Sequence, residues 1–312
     1  YTFHIRKDNY WYTYKGEQLI DKGPDLNFWR GNVENDGGNA RDKIFDKAWE
    51  KAAERISVDG IDVKEGADGG KTVVSHLTLP DAGNTKVDIQ YDIAADGRVK
   101  VSLNVDATKS GMGGFIRVGS AMTLPSGAEQ LTWYGNGPVE TYNDRKSGGR
   151  QGVWETSVSE EFFPYMKADD CGNLTDVKWI SVKDPSSENC LLIAADGTVE
   201  ASALHFTPSD LQYADHPYKL RPRSETYLNV DYGSLGVGSA TCGQATLEKY
   251  RLPSSRTYSW GYTIMPASSS ADGKELTDMA ARLRSDGVTI EDKSSNQLSI
   301  PLGSSAKLKS TD

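Results

Sequence analysis

A chain of 312 residues with a formal net charge of −9, 37% hydrophobic and 25% charged side chains has enough apolar material for a sizeable globular core. Its acidic balance, with no basic run interleaved with aromatics, excludes a nucleic-acid partner, because phosphate contacts need clustered Lys and Arg. No stretch approaches the ~18 consecutive apolar residues of a membrane-spanning helix, which excludes a helical membrane protein.

In chain order, Tyr10–Tyr14 is aromatic and β-branched, and Lys15-Gly16 supplies a turn before Leu19-Ile20. From Arg41 to Ile56 the pattern changes. Ile44, Phe45, Ala48, Trp49, Ala52 and Ile56 recur at helical spacing, which predicts one amphipathic helix capped by Asn39 and packed on a sheet through Phe45 and Trp49. Strand-like runs then follow at Thr72–Leu79, Lys86–Ile93 and Val99–Val105. The last two alternate with period two around Asp96-Gly97, so they predict a hairpin with Val87, Ile89, Tyr91 and Ile93 facing the core. Further strands are expected at Phe115–Val118, Val177–Val182, Cys190–Ala194, Thr226–Val230 and Tyr258–Ile264. Many short strands joined by Gly, Asn and Asp turns define an all-β class, a large antiparallel sandwich over residues 1–266. Ala267–Gly273 reads as a flexible small-residue linker, Gly273–Ser285 as a second helix with Leu276, Met279, Ala280 and Leu283 on one face. The remainder to Asp312 reads as a C-terminal tail or the start of a following module, with short strands at Val288–Ile290 and Leu298–Ile300. The abrupt start at Tyr1, without Met or a signal peptide, is that of an excerpt from a longer chain.

Cys171, Cys190 and Cys242 are far apart and odd in number, with no C-x-x-C, so neither a disulfide framework nor a cysteine-rich zinc site is expected. The stretch Trp133-Tyr134-Gly135-Asn136-Gly137-Pro138-Val139-Glu140-Thr141-Tyr142-Asn143-Asp144-Arg145 is the densest in information. Its glycines permit either φ > 0 or close backbone approach, in what reads as a turn. Glu140 and Asp144 are placed to brace Arg145. The neighbouring pairs Glu160-Glu161 and Asp169-Asp170 point opposite ways on extended chain and read as solvated charge.

The string W-x-G-x-G-P-x-E-x-Y-x-D-R resembles the signature of the C-terminal domain of the family 2 β-galactosidases, and three other segments agree in order. Asn27-Phe28-Trp29-Arg30-Gly31-Asn32-Val33-Glu34-Asn35-Asp36-Gly37 is similar to the family's N-F-W-R-A-P-T-D-N-D-x-G, departing at Asn32 and Glu34. Pro164–Asn173 is similar to P-Y-x-x-P-Q-E-N-G-N, departing at Ala168, Asp169, Asp170 and Cys171, and Leu228–Tyr232 with Gly236-Val237-Gly238 precedes Cys242-Gly243 in the family's manner. The resemblance covers roughly residues 1–266. It implies a galactose mutarotase-like β-supersandwich, and hydrolysis of terminal non-reducing β-D-galactose with retention by a whole enzyme whose catalytic glutamates lie in a preceding TIM barrel.

On that resemblance, a substrate-bordering loop maps to Asn35, Asp36, Gly37, Gly38, Asn39 and Arg41, with Gly37-Gly38 as a hinge; the same residues read equally as a helix cap behind a flexible turn. A second loop maps to Cys242 and Gly243, where some relatives place a tryptophan under the sugar; Cys242 reads either as a buried hydrophobe or as a sugar contact. No catalytic residue and no metal ligand is assigned here. The domain carries no cofactor of its own, a divalent cation being a matter for the barrel. The expected partners are the preceding domains of the same polypeptide and a β-galactoside, oligomerisation remains open, and so does the choice between a bacterial cytoplasmic and a secreted location. Two other readings stand beside this one: a stand-alone carbohydrate-binding module using Trp11, Tyr12, Trp29 and Trp133, and a mutarotase-like enzyme using His205 or His216 with Glu200 or Glu225.

Overall fold

The structure is a computed structural model that describes residues 2–5, 10–41, 43–66, 69–239 and 245–285. Its elements are β1 (Thr2–Ile5), β2 (Tyr10–Tyr14), β3 (Glu17–Ile20), β4 (Lys22–Asn27), α1 (Asp36–Arg41), β5 (Ser57–Glu65), β6 (Lys71–Leu79), β7 (Thr85–Ile93) and β8 (Val99–Asp106). They continue with β9 (Arg117–Leu124), β10 (Gln130–Gly137), β11 (Arg150–Ser157), β12 (Leu174–Lys183), β13 (Asn189–Leu204), α2 (Pro208–Tyr213), β14 (Thr226–Ser234), β15 (Thr257–Ser268) and α3 (Gly273–Ser285).

The β7–β8 hairpin forms as its alternation dictates. Val87, Ile89 and Tyr91 pair with Val105, Leu103 and Val101, and all six are buried, while Lys86 and Asp88 point the other way. From this hairpin a 12-stranded antiparallel sheet extends in the order β11-β10-β12-β13-β15-β8-β7-β6-β5, with β14, β9 and β4 branching from β13. The branch arises inside β13. Residues 189–195 pair with β15, and residues 200–204 pair with β14. Between them Asp196, Gly197 and Thr198 are exposed. A strand that changes partners midway lets one sheet curl over itself, so both halves cover a single main core around Trp133, Val101, Leu228 and Tyr262. The all-β antiparallel expectation holds.

The helix expected over Arg41–Ile56 does not form. The chain turns at Lys43, with φ of 55°, and Asp46 is extended. Asp46 caps a five-residue 3-10 helix at Lys47–Lys51 by accepting from Ala48 N at 3.0 Å, while its own N–H donates to Gly114 O at 2.9 Å. Asn39 sits within α1 and is no cap for this segment. An irregular wrap nevertheless buries part of the expected face: Phe45, Trp49 and Ala52 enter the core, while Ala48 and Ile56 remain exposed. Trp49 stacks on Phe115 with ring centroids 3.9 Å apart, and its indole N–H donates to Gly113 O at 3.1 Å.

Two further expectations change. The Trp133–Gly137 segment is strand β10 rather than a turn, and its glycines serve close approach: a Cβ on Gly135 would lie 3.0 Å from Val177 Cα, and one on Gly137 would lie 2.5 Å from the Trp154 ring. Ala267 and Ser268, assigned to a linker, complete β15. Helix α3 matches its expected span. Leu276 and Ala280 are buried against Trp179, Cys190 and Leu192, Trp179 Nε1 donates to Thr277 Oγ1 at 3.2 Å, and Arg284 donates to the carbonyls of Lys178, Ala195 and Gly197. The strands expected at Val288–Ile290 and Leu298–Ile300 lie outside the described residues.

Candidate functional site

Arg30, just beyond β4, is fully buried and forks onto one carboxylate: Nη1 lies 2.8 Å from Asp36 Oδ2 and Nη2 lies 3.2 Å from Asp36 Oδ1. Asp36 Oδ2 also accepts from Val33 N at 2.9 Å, and Oδ1 from Asn39 Nδ2 at 3.2 Å, so one buried ion pair shapes the whole 33–39 segment. This segment is tied to a loop some 200 residues later in the chain. Asn35 Nδ2 donates to Val237 O at 2.9 Å, and Asn39 Oδ1 accepts from Thr246 N at 2.8 Å.

A third segment joins them. Asp144 accepts from the backbone N–H groups of Val237, Gly238 and Ser239 at 3.0, 2.9 and 2.7 Å. Burial works to raise its carboxyl, but the three backbone donors outweigh burial and hold it below the usual carboxylate range. Gly236 must be small here, because a Cβ would sit 2.5 Å from Asp144 Oδ2. Asp144 therefore does not brace Arg145. Glu140 does, pairing with Arg145 and accepting from Tyr165 Oη, and from Gly172 N at 2.8 Å.

Between these segments opens a cleft of about 190 Å³ walled by Glu34, Asn35, Arg145, Tyr165, Asp169 and Val237. Asp169 and Asp170, expected to be solvated, are both buried. Asp169 Oδ1 has no hydrogen-bond partner, and burial pushes its carboxyl up to about 6. Asp170 accepts from Tyr142 Oη at 3.0 Å and lies 3.4 Å from Arg117 Nη2. Glu161, of the other supposedly solvated pair, is pushed up to about 8 by burial and by Glu140.

Beneath the cleft Arg117 faces more acid than it neutralises. Its Nε lies 3.3 Å from Asp231 Oδ2 without the alignment of a hydrogen bond, and Glu200, held by Asn173 Nδ2 at 3.2 Å, is buried nearby. Strands β9 and β14 pair Gly119 with Asp231, and a Cβ on Gly119 would fall 1.7 Å from Asp231 Oδ1. Burial pushes Asp231 up to about 8, with Glu200 and Asp170 adding repulsion against the pull of Arg117; burial likewise pushes Glu200 up to about 7. A carboxyl raised on folding binds its proton more tightly in the native state. Its stabilising contribution is thus full below about pH 4 and is lost as pH rises toward about 8. Asp231→Asn should remove this slope, so that the melting temperature of the variant relative to the parent climbs from pH 5 to pH 9. Parallel melting profiles would show that Asp231 is ionised throughout.

The site residues read from the sequence divide accordingly. Asp36 and Asn39 are buried and their polar atoms are engaged within the protein, so they hold the loops instead of facing a ligand. Asn35 lines the cleft. Gly37 and Gly38 lie in α1 without positive φ, and a Cβ on Gly37 would meet nothing within 4 Å, so the fold does not demand glycine at 37. Arg41 is exposed at the end of α1. Cys242 and Gly243 lie outside the described residues. Among the described residues no three His, Cys, Asp or Glu side chains gather to hold a metal ion, and no helix is long and apolar enough to cross a membrane. Asp144 and Asp169 were missed as site formers, since the partners of one and the burial of the other are set by tertiary structure.

Other sequence readings lose their support here. Tyr12, Trp29 and Trp133 are buried in the main core and offer no stacking face, while the side chain of Trp11 lies outside the described residues. His205 Nε2 meets Glu129 Oε2 at 2.7 Å, not Glu200 or the Glu225 carboxylate, and His216 stacks on Tyr218.

These motifs and loops are those of a known family: residues 6–264 match the model of the β-galactosidase small chain, and the chain belongs to that family. Among individual proteins, it is 31% identical over 258 residues to a β-galactosidase of Priestia megaterium, covering 82% of this chain and 24% of that protein. It is 29% identical over 255 residues to a β-galactosidase of Streptococcus thermophilus, covering 81% and 24%. The chain thus spans about a quarter of the length of the curated relatives it matches. A GalM/aldose epimerase homologue from C. elegans overlays with a TM-score of 0.42 at 9% identity, over 84% of this chain and 92% of that one, too loosely to bear on function.

Proposed function

We propose that this chain is the C-terminal part of a family 2 β-galactosidase, where it walls one side of a galactoside pocket. The catalytic carboxylates, and any divalent cation, belong to preceding domains of the same polypeptide. The whole enzyme hydrolyses terminal non-reducing β-D-galactose with retention, a reaction that needs two carboxylates about 5–5.5 Å apart as acid/base and nucleophile. The carrying observation is the stitching of two distant loops by Asn35–Val237 and Asn39–Thr246, with Asp144 as the third tie, around one polar cleft. A rim fixed by internal hydrogen bonds is what a substrate-positioning wall requires. Two of the cleft's carboxylates suit that role better than chemistry: Glu140 is committed to Arg145, Tyr165 and Gly172, and Asp170 to Tyr142 and Arg117.

The test is reconstitution. The isolated chain should leave a chromogenic β-galactoside intact, and adding the preceding domains as a separate polypeptide should restore turnover. In the joined enzyme, Asp144→Ala should raise KM and lower kcat together, since it frees the backbone of residues 237–239. Turnover by the isolated chain, abolished by altering one of its own carboxylates, would place the catalytic centre here instead.

A further inference from the structure

Among the described residues a second concavity, larger than the cleft between the loops, is a groove of about 900 Å³ on the outer face of the curled sheet, across the 140–146 segment from that cleft. We propose that this groove binds an uncharged, hydroxyl-rich ligand, a short oligosaccharide, at a site separate from the galactoside pocket. The proposal goes beyond the functional reading and does not depend on it.

Strand register builds the floor. One row crosses four strands as His76, Asp88, Asn104 and Ser259, and the next as Val74, Gln90, Ser102 and Gly261. Because side chains alternate, these positions share the face opposite the core residues Val87, Ile89, Val101, Leu103 and Trp260. With neighbouring strands about 4.8 Å apart, each row is about 14 Å long, room for more than one sugar ring. Gly261 lets the Asp196 carboxylate close over the floor, since a Cβ there would lie 2.5 Å from Asp196 Oδ2.

The electrostatics choose the ligand. Ionisable groups of the groove are partnered within the protein: His76 with Asp88 at 2.6 Å, Lys146 with Asp176 at 2.9 Å, and Asp196 with Lys100 at 3.3 Å. Glu200 lines the groove as a buried carboxyl. No cationic surplus is left for a phosphate or a polyanion. What the groove does present is amide and hydroxyl groups already oriented. Asn104 Oδ1 accepts from Ser259 Oγ at 2.7 Å, and Gln90 Nε2 donates to Asp92 Oδ2 at 2.8 Å, so both amides are fixed end for end. Tyr232, 36% exposed, lines the groove and is held by Arg256 and edge-on against Tyr258, so its ring stands as a rigid flank for the apolar face of a sugar. Fixed hydrogen-bonding groups beside one aromatic ring are the elements of saccharide recognition.

Calorimetric titration of the 312-residue chain with lactose and with a β-linked galactotetraose tests this. The tetraose should saturate with a Kd tighter than about 1 mM and bind better than lactose, because it fills more of the rows. Gln90→Ala with Asn104→Ala should weaken binding at least tenfold, as should Tyr232→Ala, with melting temperatures near the parent's because these side chains are half-buried or exposed and lie on the face away from the core. Ser102→Trp, which fills the floor, should abolish binding. Asp169→Asn and Arg145→Ala, in the cleft between the loops, should leave it unchanged. The proposal is overturned if no saturable binding occurs, or if the cleft variants remove it and the groove variants do not. Reconstituted hydrolysis reports separately on the catalytic reading, so failure of either is distinguishable from failure of the other.

Discussion

Asp36→Ala should lower the unfolding free energy by about 3–5 kcal/mol, the cost expected when one partner of a buried ion pair is removed. The size follows from the site. Arg30 is fully buried, its Nε already lacks a partner, and Asp36 is the one carboxylate within hydrogen-bonding distance of its guanidinium among the described contacts. Removing that carboxylate leaves a guanidinium that cannot shed its proton with only the Gly31 and Leu235 carbonyls to donate to and the more distant charge of Asp170. The same change deprives Val33 N and Asn39 Nδ2 of their acceptor, so the Asn39–Thr246 tie should loosen as well. Asp36→Asn should recover only part of the loss, because its amide nitrogen would oppose an Nη donor. Urea unfolding monitored by circular dichroism gives the number. A loss below about 1 kcal/mol for the alanine variant would mean that water reaches Arg30 and that the pair is not the centre of the loop.

Trp49→Ala should cost a similar amount, about 3–5 kcal/mol, for a different reason. Trp49 is 1% exposed and sits between Phe28, at 5.5 Å, and Phe115, at 3.9 Å, so truncation opens a cavity and frees the Gly113 carbonyl from its indole donor. Trp49→Phe keeps most of the ring volume and loses the hydrogen bond, so it should fall clearly below the alanine value. Denaturation midpoints with unchanged m-values would locate both effects in the native core. Equal losses for the two variants would assign the effect to the hydrogen bond and not to packing.

Trp49 also marks where sequence reasoning works and where it stops. Hydrophobic period reports which residues must be buried, and Phe45, Trp49 and Ala52 are; it does not report how the backbone achieves it. A turn at Lys43 and an extended Asp46 bonded to Gly114 replaced the helix, and those partners lie some 70 residues away. In β7, β8 and α3 the local pattern and the final packing agree, so all three were legible. Three of the strands that escaped notice carry contrary local signals. β4 contains Gly-Pro, β10 contains two glycines that make room for Val177 and Trp154, and β5 is an edge strand with Ile61 and Val63 exposed. For the site, the motifs marked the right loops, yet their chemistry was set elsewhere. Nothing adjacent to Asp144 reveals that it binds three N–H groups at residues 237–239, and nothing adjacent to Asp169 reveals that one of its oxygens goes unpaired.

The tight pairing of Gly119 with Asp231 gives the history of this protein an order. While aspartate stands at 231, any side chain at 119 collides with it, so a first mutation at 119 must displace the buried carboxylate and is costly. The reverse order is open. Once 231 shortens, 119 can acquire a side chain, and that acquisition then hinders the return of aspartate. The order of the two changes is therefore constrained: 231 shortens first on the way out, and glycine is restored at 119 first on the way back. An ancestral sequence inferred with both a side chain at 119 and aspartate at 231 should melt at a clearly lower temperature than one with glycine at 119.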